Sequence, residues 1–238
     1  MKMLNWLALI LVLVVYFSSC ATNPSSVSRE ERVSVFPSKR SETAASRTSY
    51  KEHREDSVQQ KLVEGANRLR GARKLIVNGR LFPLDCTGTV LAIYYYAGID
   101  LSSDFYKYNG NGVRRLYLMM KDKNLLYDTT DPAEGDIIFW DNTYDRNNDS
   151  KWNDPLTHTG MVISTSEWGT VIYVHLNYSK GIVFERMNLK EPNVYMKRIN
   201  GQMVTINAPM RMKGQPESHG RWLSSHLYRI FAKGYAYR

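Results

Sequence analysis

One stretch limits the fold more than any other: "LDCTGTVLAIYYYAGIDL", residues 84–101. Val90, Ile93, Tyr94 and Ala97 follow Cys86 at i+4, i+7, i+8 and i+11, the spacing of one helical face. Gly98 is a natural stop. The segment therefore predicts a helix that begins at Cys86 and turns its apolar side inward. A thiol at that position meets unpaired N–H groups and the positive end of the helix dipole, which favour the thiolate. Gly88 is expected to leave room for a substrate, and the backbone N–H near Cys86 suits an oxyanion. A small buried core residue fits the same place, so position alone does not choose between nucleophile and packing.

Elsewhere the chain mixes helix and strand signals. Val58, Leu62, Ala66 and Leu69 are at helical spacing after Asp56 or Ser57, a candidate cap. "GDIIFWD" (135–141), "GMVISTS" (160–166) and "GTVIYVHLN" (169–177) read as strands. A last helix is expected at 218–233, with Trp222, Leu223, Leu227, Ile230 and Phe231 along one side. Helices, then strands, then a helix imply an α+β domain with an antiparallel sheet over 54–238.

The first 20 residues, "MKMLNWLALILVLVVYFSSC", have one Lys, an apolar run, then Ser18, Ser19 and Cys20. This layout is that of an export signal. It resembles a bacterial lipoprotein signal, in which the cysteine is lipidated and becomes the new N-terminus. Phe17 departs from the Leu usual there, and an uncleaved anchor is the alternative. Residues 21–53 are polar and without period, as expected of a flexible tether. The expected location is therefore the cell envelope, with a membrane partner through Cys20. Cys20 and Cys86 are the only cysteines. If Cys20 is acylated, Cys86 has no intramolecular partner. With 43% apolar residues the core needs no disulfide. The formal charge of +9 draws the chain toward acidic polymers, but no nucleic-acid motif accompanies it.

A nucleophilic thiol needs a base, usually His. His53 lies in the tether, and His219 and His226 lie in the expected last helix. His158 stands at the mouth of a strand. His175 shares a strand face with Val171, Tyr173 and Asn177, away from aliphatic Ile172, Val174 and Leu176. A hairpin turning at "EWG" brings His158 and His175 to one end of the sheet, which supplies a base and an orienter.

At these residues the chain resembles a known family. "LDCTGTVLAIYYYAGIDL" looks like the nucleophile segment and apolar helix of NlpC/P60 cysteine peptidases. "PAEGDIIFWD", "THTGMVIS" and "VIYVHLN" resemble their following strands. The related CHAP amidases have the same order. The resemblance spans about residues 56–190 and implies a papain-like fold with N-terminal helices. It implies Cys86 as nucleophile, His158 as base, and His175, or Asn177 in the CHAP pattern, as orienter. The implied substrates are amide bonds in peptidoglycan stem peptides or cross-bridges. Thr87 stands where Ser is usual, and a long insertion separates Gly135 from His158.

No ATP, nicotinamide or metal motif accompanies this set, so no cofactor is expected. Within the insertion, Asp145, Asn147 and Asp149 have the spacing of a calcium loop, with Ser150 in place of Gly and Leu156 in place of Glu. A structural Ca2+ or an ordinary polar turn both fit. A non-catalytic envelope-binding lipoprotein and an acyltransferase on the same fold are the rival classes.

Overall fold

The computed structural model describes residues 44–212 and 220–237, with side chains from residue 57. These residues belong to one unit, Glu42–Arg238. Cys20, the signal and most of the tether lie outside the described residues. So does His219, and so does the side chain of His53. No helix among the described residues is long and apolar enough to cross a membrane.

Helix α1 (Ala44–Leu69) begins earlier than the cap expected at Asp56 or Ser57. A short hairpin, β1 (Leu75–Val77) and β2 (Arg80–Phe82), leads into α2 (Cys86–Tyr96). Then come α3 (Gly112–Asp122), which had no counterpart in the sequence reading, β3 (Leu126–Tyr127) and β4 (Ile137–Trp140). Three long strands follow: β5 (His158–Thr165), β6 (Thr170–Asn177) and β7 (Gly181–Asn188). A hairpin, β8 (Met196–Ile199) and β9 (Gln202–Thr205), precedes α4 (Ser224–Leu227) and β10 (Tyr228–Ala232). The main sheet is antiparallel, in the order β3-β10-β4-β5-β6-β7. The fold is α+β.

The expected helix at 218–233 is a correction. Only Ser224–Leu227 is helical, and Tyr228–Ala232 enters the sheet between β3 and β4. Ile230 and Ala232 face one core while Phe231 faces the other. A strand buried on both faces is a nearly continuous apolar run, and such a run also satisfies helical spacing.

Both faces of the sheet are covered. Ile137, Phe139, Met161 and Val174 pack under α1, α2 and α3 with Leu62, Val90, Ile93 and Leu116. On the other face Ile138, Trp140, Val162, Val171 and Tyr173 pack with Met210 and Leu227. The face that holds His175 is thus a second, aromatic core. His175 is only 2% exposed, so pointing away from the aliphatic side does not mean pointing to water.

Candidate active site

Cys86 opens α2, as the spacing predicts. Asp85 caps the helix: its carboxylate accepts the Gly88 N–H at 2.7 Å, and its carbonyl accepts the Thr89 N–H and hydroxyl. Gly88 does not make room for a substrate. A Cβ there would lie 1.9 Å from the Pro83 carbonyl oxygen, so the glycine admits the chain that leads into the helix. Thr87 packs against Gly112, and its hydroxyl and N–H reach the Cys86 sulfur.

The expectation of a thiolate-prone Cys86 is not met. Burial pushes the thiol up to about 11, and the Asp85 carboxylate pushes the same way. The Thr159 N–H and the Thr87 donors pull it down by less. Burial and the Asp85 charge together outweigh the helix dipole. At neutral pH Cys86 is a half-buried thiol.

The Thr159 contact locates the thiol. Thr159 follows His158 on β5, and the β5–β6 ladder begins only at Met161 opposite Val174. The Thr159 N–H therefore remains free to reach Sγ. Gly160 permits the tight crossing that follows, because a Cβ there would lie 2.6 Å from the Val174 carbonyl and 3.2 Å from the His175 Cβ. No hydrogen bond joins Cys86 to His158; the link between them is Thr159, which acts on the thiol and follows His158 on β5.

His158 and His175 come together as expected. His158 Nε2 and His175 Nδ1 are 2.8 Å apart, with their rings nearly perpendicular. Trp140 and Tyr173 hold them: ring centroids are 5.7 Å for Trp140–His158 and 5.2 Å for Tyr173–His175. Trp140 is itself fixed by donating Nε1–H to the Ser224 carbonyl. Burial, and then the charge of His175, hold His158 well below its ordinary value, so it is a neutral imidazole.

Glu185, which no sequence motif marks, completes the relay. It comes from β7, opposite Tyr173, and its carboxylate lies 3.0 Å from His175 Nε2. Lys180 donates to it at 3.0 Å and Asn177 Nδ2 at 3.3 Å. Burial pushes Glu185 up, but the His175 bond and charge and the Lys180 bond outweigh it and hold the carboxyl low. The relay thus crosses three adjacent strands. Its proton order follows from the bonds. The carboxylate can only accept, so His175 donates from Nε2. In the tautomer that carries a single proton on His175, Nδ1 accepts, and His158 donates from Nε2. The lone pair of His158 then stands on Nδ1, the one ring atom with no partner in the relay.

Asn177 joins only through Glu185. Its Oδ1 is occupied by the Ser179 N–H and hydroxyl and the Lys180 N–H.

The insertion is pinned at its base by Asp141 Oδ1 to the Leu156 N–H and by Thr157 Oγ1 to the Thr143 N–H. It also carries Tyr144: burial raises its phenol, Arg146 opposes this, and the Cys86 and Asp154 charges act in the same direction as burial. Tyr144 is a second residue missed, one position before the calcium-like triplet. Asp145, Asn147 and Asp149 do not join the relay. Their oxygens accept the loop's own N–H groups, from Asp149, Ser150 and Lys151. His226 is also apart, with Nε2 3.1 Å from Asn193 Oδ1.

Compared with known proteins, the chain matches no family model, no curated protein and no solved structure.

Proposed function

We propose that the chain is a cysteine hydrolase of the cell envelope that cleaves amide bonds in peptidoglycan stem peptides or cross-bridges. The fold in this reading is papain-like, of the NlpC/P60 or CHAP kind, and Cys20 tethers the enzyme to a membrane. The observation that carries it is the His158–His175–Glu185 relay ending beside a helix-start cysteine. The rival of a purely structural cysteine does not account for two paired imidazoles, one of them buried, ordered by a carboxylate.

The chemistry follows from a neutral pair. His158 Nδ1 takes the thiol proton as the sulfur attacks the carbonyl carbon. The Cys86 N–H, which no acceptor among the described residues takes up, is the oxyanion donor. The C–N bond then breaks, and the amine leaves with the proton from His158. Water, deprotonated by the same nitrogen, attacks the thioester, and the acid product and the thiol are released. Nothing in these steps needs a metal. Calcium at Asp145, Asn147 and Asp149 would serve only the loop, and calorimetry with the calcium salt decides it.

The test is digestion of purified peptidoglycan by the full chain and by Cys86→Ala, with mass spectrometry of the released fragments. New peptide ends with the wild type alone are expected. Products joined to an added amine, without hydrolysis, would establish the acyltransferase class. No release by either chain, with Cys86 inert to a thiol-directed acylating probe, would overturn the enzyme reading.

A further inference from the structure

Beyond the relay, the outer edge of β7 has a gap. β7 ends the sheet. The Ile182 carbonyl accepts the Gly71 N–H at 2.9 Å, and the Arg186 carbonyl accepts the Ala208 N–H at 2.8 Å. Alternate residues of a strand direct their backbone groups to the same edge. The Phe184 N–H and C=O therefore face outward between these two closures. Among the described residues no group outside the sheet meets them.

Over this gap lies a cleft of about 590 Å³. Tyr195, Met203 and Val204 supply an apolar wall, and Met203 is 52% exposed. Arg70, Lys180 and Arg186 line the cleft against one acidic residue, Glu185. Lys180 already bridges Glu185. Among the described residues no carboxylate pairs with Arg70 or Arg186. The Arg70 guanidinium is held over the Phe184 ring at 5.0 Å, beside the open backbone groups.

We propose that this cleft binds an extended acidic peptide, which adds to β7 as a short strand. The open N–H and C=O of Phe184 take its backbone, Arg70 and Arg186 take its carboxylates, and the apolar wall takes the alternate side chains. A neutral or basic peptide would leave two cations without partners. The site is separate from the thiol: His158 is on β5, two strand spacings or roughly 10 Å from β7. It thus binds a separate acidic peptide segment, and binding does not require cleavage.

The test uses the full chain with Cys86→Ala, so that turnover plays no part. A fluorescein-labelled hexapeptide of alternating Glu and Val is titrated by fluorescence anisotropy. Saturable binding is expected, weakened at least about tenfold by Arg70→Glu with Arg186→Glu, since bonds to charged groups are worth roughly that much. The Gln-for-Glu peptide should weaken similarly. A peptide N-methylated at alternate residues keeps its charge but loses strand donors, and should bind about tenfold more weakly. Arg186→Glu alone, at an exposed position, gives the same direction if the double variant fails to fold. No binding, equal binding of the Glu and Gln peptides, or undiminished binding to folded charge-reversal variants would overturn the proposal. Equal binding of the N-methylated peptide would overturn strand addition. Loss of peptide binding with hydrolysis intact would reject the cleft and leave the proposed reaction standing.

Discussion

The two faces of the sheet build the candidate site by different means. The helix face delivers one reactive atom through local order: a capped helix start, a half-buried thiol and two nearby threonines. The other face delivers a chain of atoms through long-range order: rings from β4, β5 and β6 and a carboxylate from β7. Burial acts on both, but with opposite chemical results. It keeps the thiol protonated and therefore weak as a nucleophile, and it keeps His158 unprotonated and therefore able to act as a base. Each face is poorly suited to act alone, and the pair is suited to proton transfer at the moment of attack.

The largest expected effects test that pairing. Cys86→Ala should abolish peptidoglycan cleavage, and His158→Ala should lower its rate by about 10²–10⁴-fold. Alkylation of Cys86 by iodoacetamide, followed against pH in the resting protein, should keep rising past pH 9 toward about 11. An inflection below pH 8 would break the comparison, because it would mean a thiolate–imidazolium pair before substrate arrives.

A smaller loss is expected further along the relay. His175→Ala should cost on the order of 10²-fold and Glu185→Gln about tenfold, since both act through His158 rather than on substrate. Glu185→Gln keeps the shape but no longer forces His175 to donate from Nε2. Its rate should therefore depend on pH differently from the wild type. A tenfold loss with an unchanged pH–rate profile would reduce Glu185 to a packing role.

The faces should also differ in acid. His158 is held below its ordinary 6.5, so its contribution to stability is complete above 6.5 and is lost as pH falls below that value. Glu185, held below 4.5, contributes above 4.5 and loses this as pH falls through its folded value. Asp136, raised by burial to about 6, has the opposite sign and contributes only at lower pH. Comparing His158→Gln with the wild type at each pH removes Asp136 from the result. Urea midpoints should show the wild type losing stability relative to the variant between pH 6.5 and 4.5. Cys86→Ala should run parallel to the wild type there, because its thiol does not titrate in that window.

What the sequence disclosed follows the same division. Cys86 and its helix were legible because i+4 and i+7 spacing is local, and so were the strands around His158 and His175. Glu185 was not. It meets His175 only because the Tyr178–Lys180 turn sets Val183 opposite His175 and Glu185 opposite Tyr173. No periodicity in a single segment encodes that register. β10 was misread as helix because Leu227, Ile230 and Phe231 fit a helical stripe while serving two cores. The thiol's ionisation was misjudged because the helix dipole is visible in sequence, whereas desolvation is a property of the packed fold.

The smallest effect sharpens the account of the ring face. The resemblance to the CHAP pattern makes Asn177 an alternative orienter of His158. In the fold its amide reaches only Glu185, at 3.3 Å, while its carbonyl oxygen ties down the β6–β7 turn. Asn177→Ala removes a weak bond to the relay and loosens the turn, leaving His158, His175 and Glu185 in contact. The expected loss of rate is under about threefold, and the expected loss of stability is about 1 kcal/mol, the usual net worth of a hydrogen bond. His175→Ala measured beside it should be far worse in rate. If the two variants lose rate equally, Asn177 orients the base directly during turnover. The relay would then run through the amide, and the three-strand arrangement would describe only the resting protein.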